Sequence, residues 1–489
     1  MEPVDSPQSS EPSAEPGRKG SANADQEGGF FRWAAFLAFL VLFNGFCFFV
    51  GASDLYRLDR DPTAAHQQPW LDATAQTLLL ESEARRSTAP FGLAWEGEGL
   101  PRYTDGVIDP LFPWLMSLYR EDDPAVLFRR GKWFNVIIST VFLVLLGLVA
   151  ARSFSLLGAA LIVSLGGLGG MLDVAPLFRP DALEWIFTTI SWGLVFALLR
   201  SNALWRYGIL GATTGLLYLT DSSIWEATLA FAAVSAARTV TELVQGGEDG
   251  EREGAWSVSS QVAGLALLLT TFLIVTGPRL SYSNARYGNA LHSYSYFTMW
   301  LDSPEEAREF RETYPTENAL KRMPPGDRPG LVRSWETRGW RDLASRAAAG
   351  IRIRLASFLS GPVRPVIVFL CIVFFVLALL HRRAACSRDE HVWRVGGTSA
   401  RWMAAFAFVA FGITLLSTGV AYPAHPDDER LTHLFLPLVL MIVWIANRFR
   451  RQLQRTRHAT VATRTYRLLV AAPLPYLAWV MVGEVLERM

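Results

Sequence analysis

The sequence predicts an all-α polytopic membrane protein, with about eleven transmembrane helices and two long non-cytoplasmic loops. Three observations predict this. The chain is 51% hydrophobic, but its apolar residues are gathered into runs of roughly 18–22 rather than spread at core periodicity, the length that spans a bilayer as a helix. Within hydrocarbon every backbone amide must be satisfied inside its own segment, so such runs read as helices. Lysine and arginine crowd into alternate short loops, the bias that sets topology. Finally, the polar motifs all fall between spans on the opposite side from those arginines.

In chain order, residues 1–29 are rich in Ser, Pro, Glu and Gly and read as a disordered cytoplasmic tail. Residues 30–277 form an N-terminal membrane module. Its first run, 31–52, reads as an uncleaved signal anchor: Gly51-Ala52-Ser53 offers small residues, but the run is too long for a cleaved signal peptide. An outer loop at 53–133 follows. Its segment 70–83 has helix-forming composition, and 110–119 (Pro-Leu-Phe-Pro-Trp-Leu-Met-Ser-Leu-Tyr) reads as an amphipathic helix lying on the membrane. Spans are expected at 134–151, 153–172, 182–200, 203–220, 222–240 and 257–277. A non-cytoplasmic loop or cap occupies 278–362, and C-terminal membrane helices at 363–381, 402–421, 431–447 and 468–486 complete 363–489.

With the N-terminus inside, the inner loops hold Arg200, Arg206, Arg238, Arg382, Arg383, Arg388, Arg448, Arg450, Arg451, Arg464 and Arg467, whereas the short outer turns hold only Arg179 and Arg430. The net charge of +1 gives no case for nucleic-acid binding. Cys47 and Cys371 fall in apolar runs and Cys386 in an inner basic loop, so no outer disulfide framework is implied. No metal-ligand spacing, phosphate loop or nucleophile elbow is present, and no cofactor is called for; metal dependence is left open. Gly166-Gly-Leu-Gly-Gly170 lies inside an apolar run with no strand before it, which points to close helix packing rather than nucleotide binding.

The outer side holds the candidate chemistry. The first loop carries Asp54, Asp59, Asp61, Asp72, Glu81, Glu83, Asp105 and Asp109, dense for a membrane protein, and is expected to hold an active-site base. Arg179-Pro180-Asp181 suits a helix start with a carboxylate in the first turn, or equally a charged pair bordering a phosphate or sugar cavity. Asp221 reads first as a helix N-cap. Glu226, an ionisable group within a span, should face a cavity or a partner. Ser303 suits the N-cap of a short helix with an acidic start. The Asn and aromatic content around Asn289 and Tyr296 suits sugar stacking and amide hydrogen bonds, or else an interfacial aromatic belt. Asp427-Asp428-Glu429-Arg430 precedes the last-but-one span, where Arg430 would either clamp a phosphate or snorkel to the headgroups.

In their order and common sidedness these motifs resemble the GT-C superfamily of integral-membrane glycosyltransferases, closest in layout to the protein O-mannosyltransferase and aminoarabinose-transferase branch. The resemblance rests on Asp109-Pro-Leu-Phe-Pro-Trp114, Arg179-Pro180-Asp181, Gly215-Leu-Leu-Tyr-Leu-Thr-Asp221, Tyr296-Phe-Thr-Met-Trp-Leu-Asp-Ser-Pro-Glu-Glu-Ala307 and Glu429-Arg430 through Pro437, and it covers the chain from Phe31 onward. It implies an inverting transfer of a sugar from a polyprenyl-phosphate donor to an acceptor hydroxyl on the non-cytoplasmic face, with an outer-loop Asp as general base. On that resemblance Asp72, then Asp54, is the base; Arg430, supported by Arg179, binds the donor phosphate; and Asp181, Asp109, Asp221, Asn289 and Tyr296 contact substrate. The acceptor would be a lipid, a protein or a polysaccharide, and a bacterial inner membrane is the expected location. The family's base is followed by a Tyr that the Asp72 segment lacks, and Asp221 stands where many members have Lys, which puts the base and that subsite in doubt. Two rivals remain: a multi-pass transporter, which would show internal repeats and broken helices, and a GT-C-fold lipid-binding protein without turnover.

Overall fold

A computed structural model describes residues 19–58, 78, 79, 82, 109–221, 226–245, 258–287, 289–291, 297–314, 322–360, 364–385, 390–424, 430–454 and 459–488. Among these the chain is helical throughout, with no strand. Eight of its helices are long and apolar enough to cross a membrane: Phe30–Tyr56, Pro124–Ser153, Leu156–Val174, Asp181–Arg200, Ser259–Ser281, Arg401–Ala421, Leu431–Leu453 and Ala459–Glu484. The helices Leu204–Thr220 (17 residues), Glu226–Gln245 and Arg364–Ala385 also form where further spans are expected, but fall short of those eight in length or apolarity. Their outward side chains match a lipid surround: Val41, Leu42, Phe49, Ile274 and Phe375 are exposed, and Phe408 is 80% exposed. So much apolar surface, distributed over the outside of a bundle, fits a hydrocarbon solvent rather than water.

We number the helices α1 (Lys19–Leu58), α2 (Leu111–Ser117), α3 (Pro124–Ser153), α4 (Leu156–Gly166), α5 (Asp181–Arg200), α6 (Leu204–Thr220), α7 (Glu226–Gln245), α8 (Val258–Tyr287), α9 (Pro304–Thr313), α10 (Leu331–Ser360), α11 (Arg364–Ala385), α12 (Glu390–Ala421), α13 (Arg430–His433), α14 (Phe435–Leu453), α15 (Ala459–Ala471) and α16 (Pro473–Arg488). The first helix begins at Lys19, well before the apolar run, so part of the expected tail is helical. Extending an existing helix costs far less than starting one, and Ala22 to Glu27 offers good formers.

At the centre lies α5, whose Trp185 and Trp192 are fully buried with Phe406 and Phe435 around them. Small residues let the helices approach. Gly211 and Gly215 on α6 face α8, where a β-carbon on Gly211 would strike Thr271 and the Leu268 carbonyl, and Gly350 on α10 meets the backbone of Gly419 on α12. The 166–170 stretch is a packing device, as its composition predicts: Gly167–Met171 is a π-helical turn, with Phe43 and Cys47 against Gly167 and Phe435 against Gly169.

The expected membrane-lying helix at 110–119 is different. α2 is only seven residues long and its apolar face is buried in protein: Leu111 packs on Tyr218 and Leu219, while Phe112 and Met116 pack with Leu127, Phe128 and Phe178. Leu78 and Leu79 of the first outer loop join that second cluster. An amphipathic helix gains similarly from burying its face against protein or lipid, and here Gly131 leaves the space that the Phe178 ring fills.

The described residues 297–314 and 322–360 form a folded cap. Ser303 caps α9 as its position predicts, its Oγ accepting from the Glu306 N–H at 3.0 Å. Arg346 of α10 ties the cap to α12. It donates to the Met299, Trp300 and Leu301 carbonyls, to Asp302 Oδ1 at 3.0 Å and, through Nε, to the Val420 carbonyl at 3.1 Å.

Candidate functional site

The two ends of the bundle differ in chemistry. At one, Arg206 and Arg238 hydrogen-bond the last carbonyls of α5 (Ala197 and Leu199), Arg450 lies over the Tyr466 ring, and Tyr466 meets Ser155. Basic side chains at helix C-termini suit the dipole there. The other end gathers the carboxylates.

At that acidic end the 172–181 turn is stitched to α3 by Asn135, whose amide donates to the Leu177 and Arg179 carbonyls at 2.7 and 2.8 Å. Asn135 is fully buried. Replacing it with Ala leaves two buried carbonyls without their donor, at about 1–3 kcal/mol each; Asn135→Asp should be worse, because it sets an acceptor against two acceptors. Thermal unfolding in detergent checks the order wild type, Asn135→Ala, Asn135→Asp.

The turn delivers α5, which opens at Asp181 with Pro180 before it, as the motif predicts. Asp181 and Glu184 both lie in its first turn, three residues apart and so on one face. His433, the last residue of α13, closes on them, with Nδ1 3.4 Å from Glu184 Oε2. The ligand-type atoms of Asp181, Glu184 and His433 all lie within 4.8 Å of one another, and Glu184 and His433 are 5% and 3% exposed. Trp185 sets the imidazole edge-on at 5.9 Å.

One turn deeper, Thr188, Trp192, Glu226, Ala227, Ala410, Thr414, His433 and Leu434 line a small cleft. Glu226 faces it, as an ionisable group within a span should, and accepts from Ser417 Oγ at 2.8 Å. The cleft and the Asp181–Glu184–His433 cluster share His433, so they form one polar track running inward from the acidic end.

The other predicted residues fall around this track. Asp54, buried at 7% exposure, ends α1 where Leu55 packs on Val136 and Ala175, beside the turn that delivers Asp181. Asp109 begins the approach to α2, where its charge and that of Arg279 both act on Tyr218. Arg179 and Asp181 are half-buried. Arg430 opens α13 one turn from His433. Its side chain, Asp72, Tyr296 and Asp427 to Glu429 lie outside the described residues. Asp221 and Asn289 each make a local backbone contact. Asp221 is the C-terminal cap of α6, its N–H donating to the Leu217 carbonyl; residues 222–225, on which the expected N-cap role depends, lie outside the described residues. Asn289 uses its side-chain oxygen to accept from Leu291 N–H in an Asx turn.

Glu184 and His433 escape the sequence reading. A lone His in Leu-Thr-His-Leu-Phe reads as core; the Asp-x-x-Glu spacing at a helix start was the signal that one face carries two carboxylates. None of the protein-family models, curated proteins or solved structures compared with the chain matches it.

Proposed function

We propose that this protein is a GT-C-type glycosyltransferase. It moves a sugar from a polyprenyl-phosphate donor to an acceptor hydroxyl, with inversion, at the acidic end of the bundle, which we place on the non-cytoplasmic face of a bacterial inner membrane. The observation that carries this reading is the polar track at one end of an all-α membrane bundle, under a folded cap and opposite the arginine-rich end. Such a transfer needs a carboxylate within hydrogen-bond reach of the acceptor and cations for the departing phosphate. Asp54 and Asp72 are the candidates for the base, and Arg430 and Arg179 for the phosphate; Asp54, Arg179 and Arg430 lie on described segments that lead to that end. The acceptor is a lipid, a protein or a polysaccharide.

Mass spectrometry of lipids that co-purify in detergent tests the donor. A polyprenyl-phosphate sugar on the wild type, depleted in Arg430→Ala, is expected. With that donor in hand, Asp54→Asn or Asp72→Asn should lower transfer by about 100-fold or more at unchanged thermal stability; full activity in both would put the base elsewhere.

A multi-pass transporter is favoured by one specific feature. Two neighbouring helices are interrupted, at the π turn 167–171, which meets Trp185, and at Leu434 between α13 and α14, which lines the cleft with buried Glu226, and broken helices near a buried charge are a transporter's device. A stoichiometric small solute on the purified protein, with no polyprenyl phosphate, would favour it. A GT-C-fold lipid binder without turnover would hold the donor and fail to transfer.

A further inference from the structure

We infer that Asp181, Glu184 and His433 form a binding site for one divalent cation of the zinc class, an inference independent of the glycosyl-transfer reading. Three kinds of observation carry it. The first is donor geometry. Two ligands on a tetrahedral zinc at about 2.0–2.1 Å sit roughly 3.3 Å apart, and no two ligands on such an ion can exceed about 4.2 Å. Glu184 Oε2 and His433 Nδ1 are already 3.4 Å apart. All the ligand atoms of the trio lie within 4.8 Å of one another, and Asp181, the half-buried member, is the one least held by packing as an ion draws them together.

The second is the donor set and its charge. One imidazole with two carboxylates is a borderline-soft set that suits Zn²⁺ or Mn²⁺ and disfavours Ca²⁺. Three protein ligands leave a fourth position for water or a substrate oxygen, the pattern of reactive rather than structural zinc sites. A dication balances two carboxylates that the fold places together below the surface, where like charges otherwise oppose each other. Trp185 against the imidazole fixes the ring plane, a role that outer-shell contacts play at metal sites.

The third observation is independent of the trio. Thr188 sits one turn below Glu184, is 1% exposed and lines the cleft that His433 also lines. Its hydroxyl has no hydrogen-bond partner among the described residues. Elsewhere in the bundle, Thr213, Thr214, Thr220, Thr276, Thr414 and Thr418 each donate to the carbonyl four residues back. Thr188 does not, nor do Thr189 and Ser191 on the same helix, and of these three Thr188 is the one that lines the cleft with His433. A buried hydroxyl in that position is suited to hold the water that completes a metal's coordination. Asp181, at the solvent end, gives the ion its access.

The test uses the full-length protein in detergent. After removal of metal with a chelator and desalting, Zn²⁺ and Mn²⁺ are titrated against a chromophoric competitor, and bound metal is measured by mass spectrometry. One equivalent of Zn²⁺ per chain, with a rise in Tm on binding, is expected. Affinity should fall at least about 10-fold in Glu184→Gln, His433→Gln and Asp181→Asn, and should be unchanged in Glu121→Gln, a carboxylate on the outer loop. Asp181→Asn decides the matter if the two buried variants do not fold, since its side chain is only half-buried. Sub-stoichiometric metal on the wild type, or affinity in Asp181→Asn equal to wild type, overturns the site and leaves a buried Glu–His pair in its place. Because bound metal rather than sugar transfer is read, a protein that holds zinc but no polyprenyl phosphate would refute only the proposed function.

Discussion

Arg346→Ala should release residues 297–314 of the cap from α10 and α12. The guanidinium reaches the carbonyls of Met299, Trp300, Leu301 and Val420 and the Asp302 carboxylate, and its side chain is only 10% exposed. Burial pushes this guanidinium below its usual pKa, while Asp302 holds it up. It stays charged, because Arg titrates far above neutral. Truncation leaves several buried carbonyls without a donor and Asp302 without its main cation, although Arg338 still reaches Asp302 Oδ2 at 2.6 Å. Each buried carbonyl left without its donor costs about 1–3 kcal/mol. The loss should be local. Residues 297–314 become accessible to protease and hydrogen exchange, while α10, which packs closely on α12 through Gly350 and Gly419, and the membrane helices keep their protection. Arg346→Lys keeps the charge but cannot fork to five acceptors, so it should fall between. If Arg346→Ala protects 297–314 as well as wild type, the cap is held by something other than this residue.

That hub also shows where the sequence is silent. Arg346 bonds mostly to carbonyls, and a carbonyl carries no residue identity, so nothing in the sequence around 299–301 or at 420 announces an arginine's target. The parts that are legible depend on local rules. Ser303 and Pro180-Asp181 show their helix starts because capping and first-turn preferences act within a few residues. The apolar runs show their spans because a bilayer demands length and backbone closure from each segment alone. Glu226 is legible as a cavity residue because a charge in a span has few alternatives. What fails is anything that depends on who packs against whom. α2 has the composition of a surface helix, and only the presence of Phe178 and Tyr218 decides that it is buried. The Glu184–His433 approach depends on α13 meeting α5, and neither segment encodes the other.

The interruptions in the helices connect packing to the polar track. The π turn at 167–171 brings Gly170 against Trp185 of α5, and the break at Leu434 lies in the cleft that Trp192 of α5 also lines. A π turn widens the helix by one residue and re-aims the side chains beyond it, which is why such turns gather at functional sites. Here the residues beyond it lead through Asp173 and the Asn135-stitched turn to Asp181. The glycines that permit the interruption are thus part of how the acidic end is assembled.

Gly170→Ala should be strongly destabilising. Gly170 has φ +150°, a backbone conformation open to glycine and costly for any L side chain. Its α-carbon also faces the Trp185 ring, and a β-carbon there would overlap the indole. Backbone strain of about 1–3 kcal/mol adds to overpacking of about 1–3 kcal/mol. The two parts can be separated, because Trp185→Phe makes room for the methyl but cannot relax the dihedral. Gly170→Ala with Trp185→Phe should therefore recover only part of the loss, read as Tm in detergent against each single variant. The effect should also reach the polar track. Trp185 is the ring that sets His433 edge-on, so displacing it moves the imidazole away from Glu184. Any Gly170→Ala protein that folds should bind Zn²⁺ at least about 10-fold more weakly than wild type, as outer-shell changes do. A folded variant with wild-type Tm would show that the bend does not need glycine. One with lowered Tm and full metal affinity would show that Trp185 does not position the histidine.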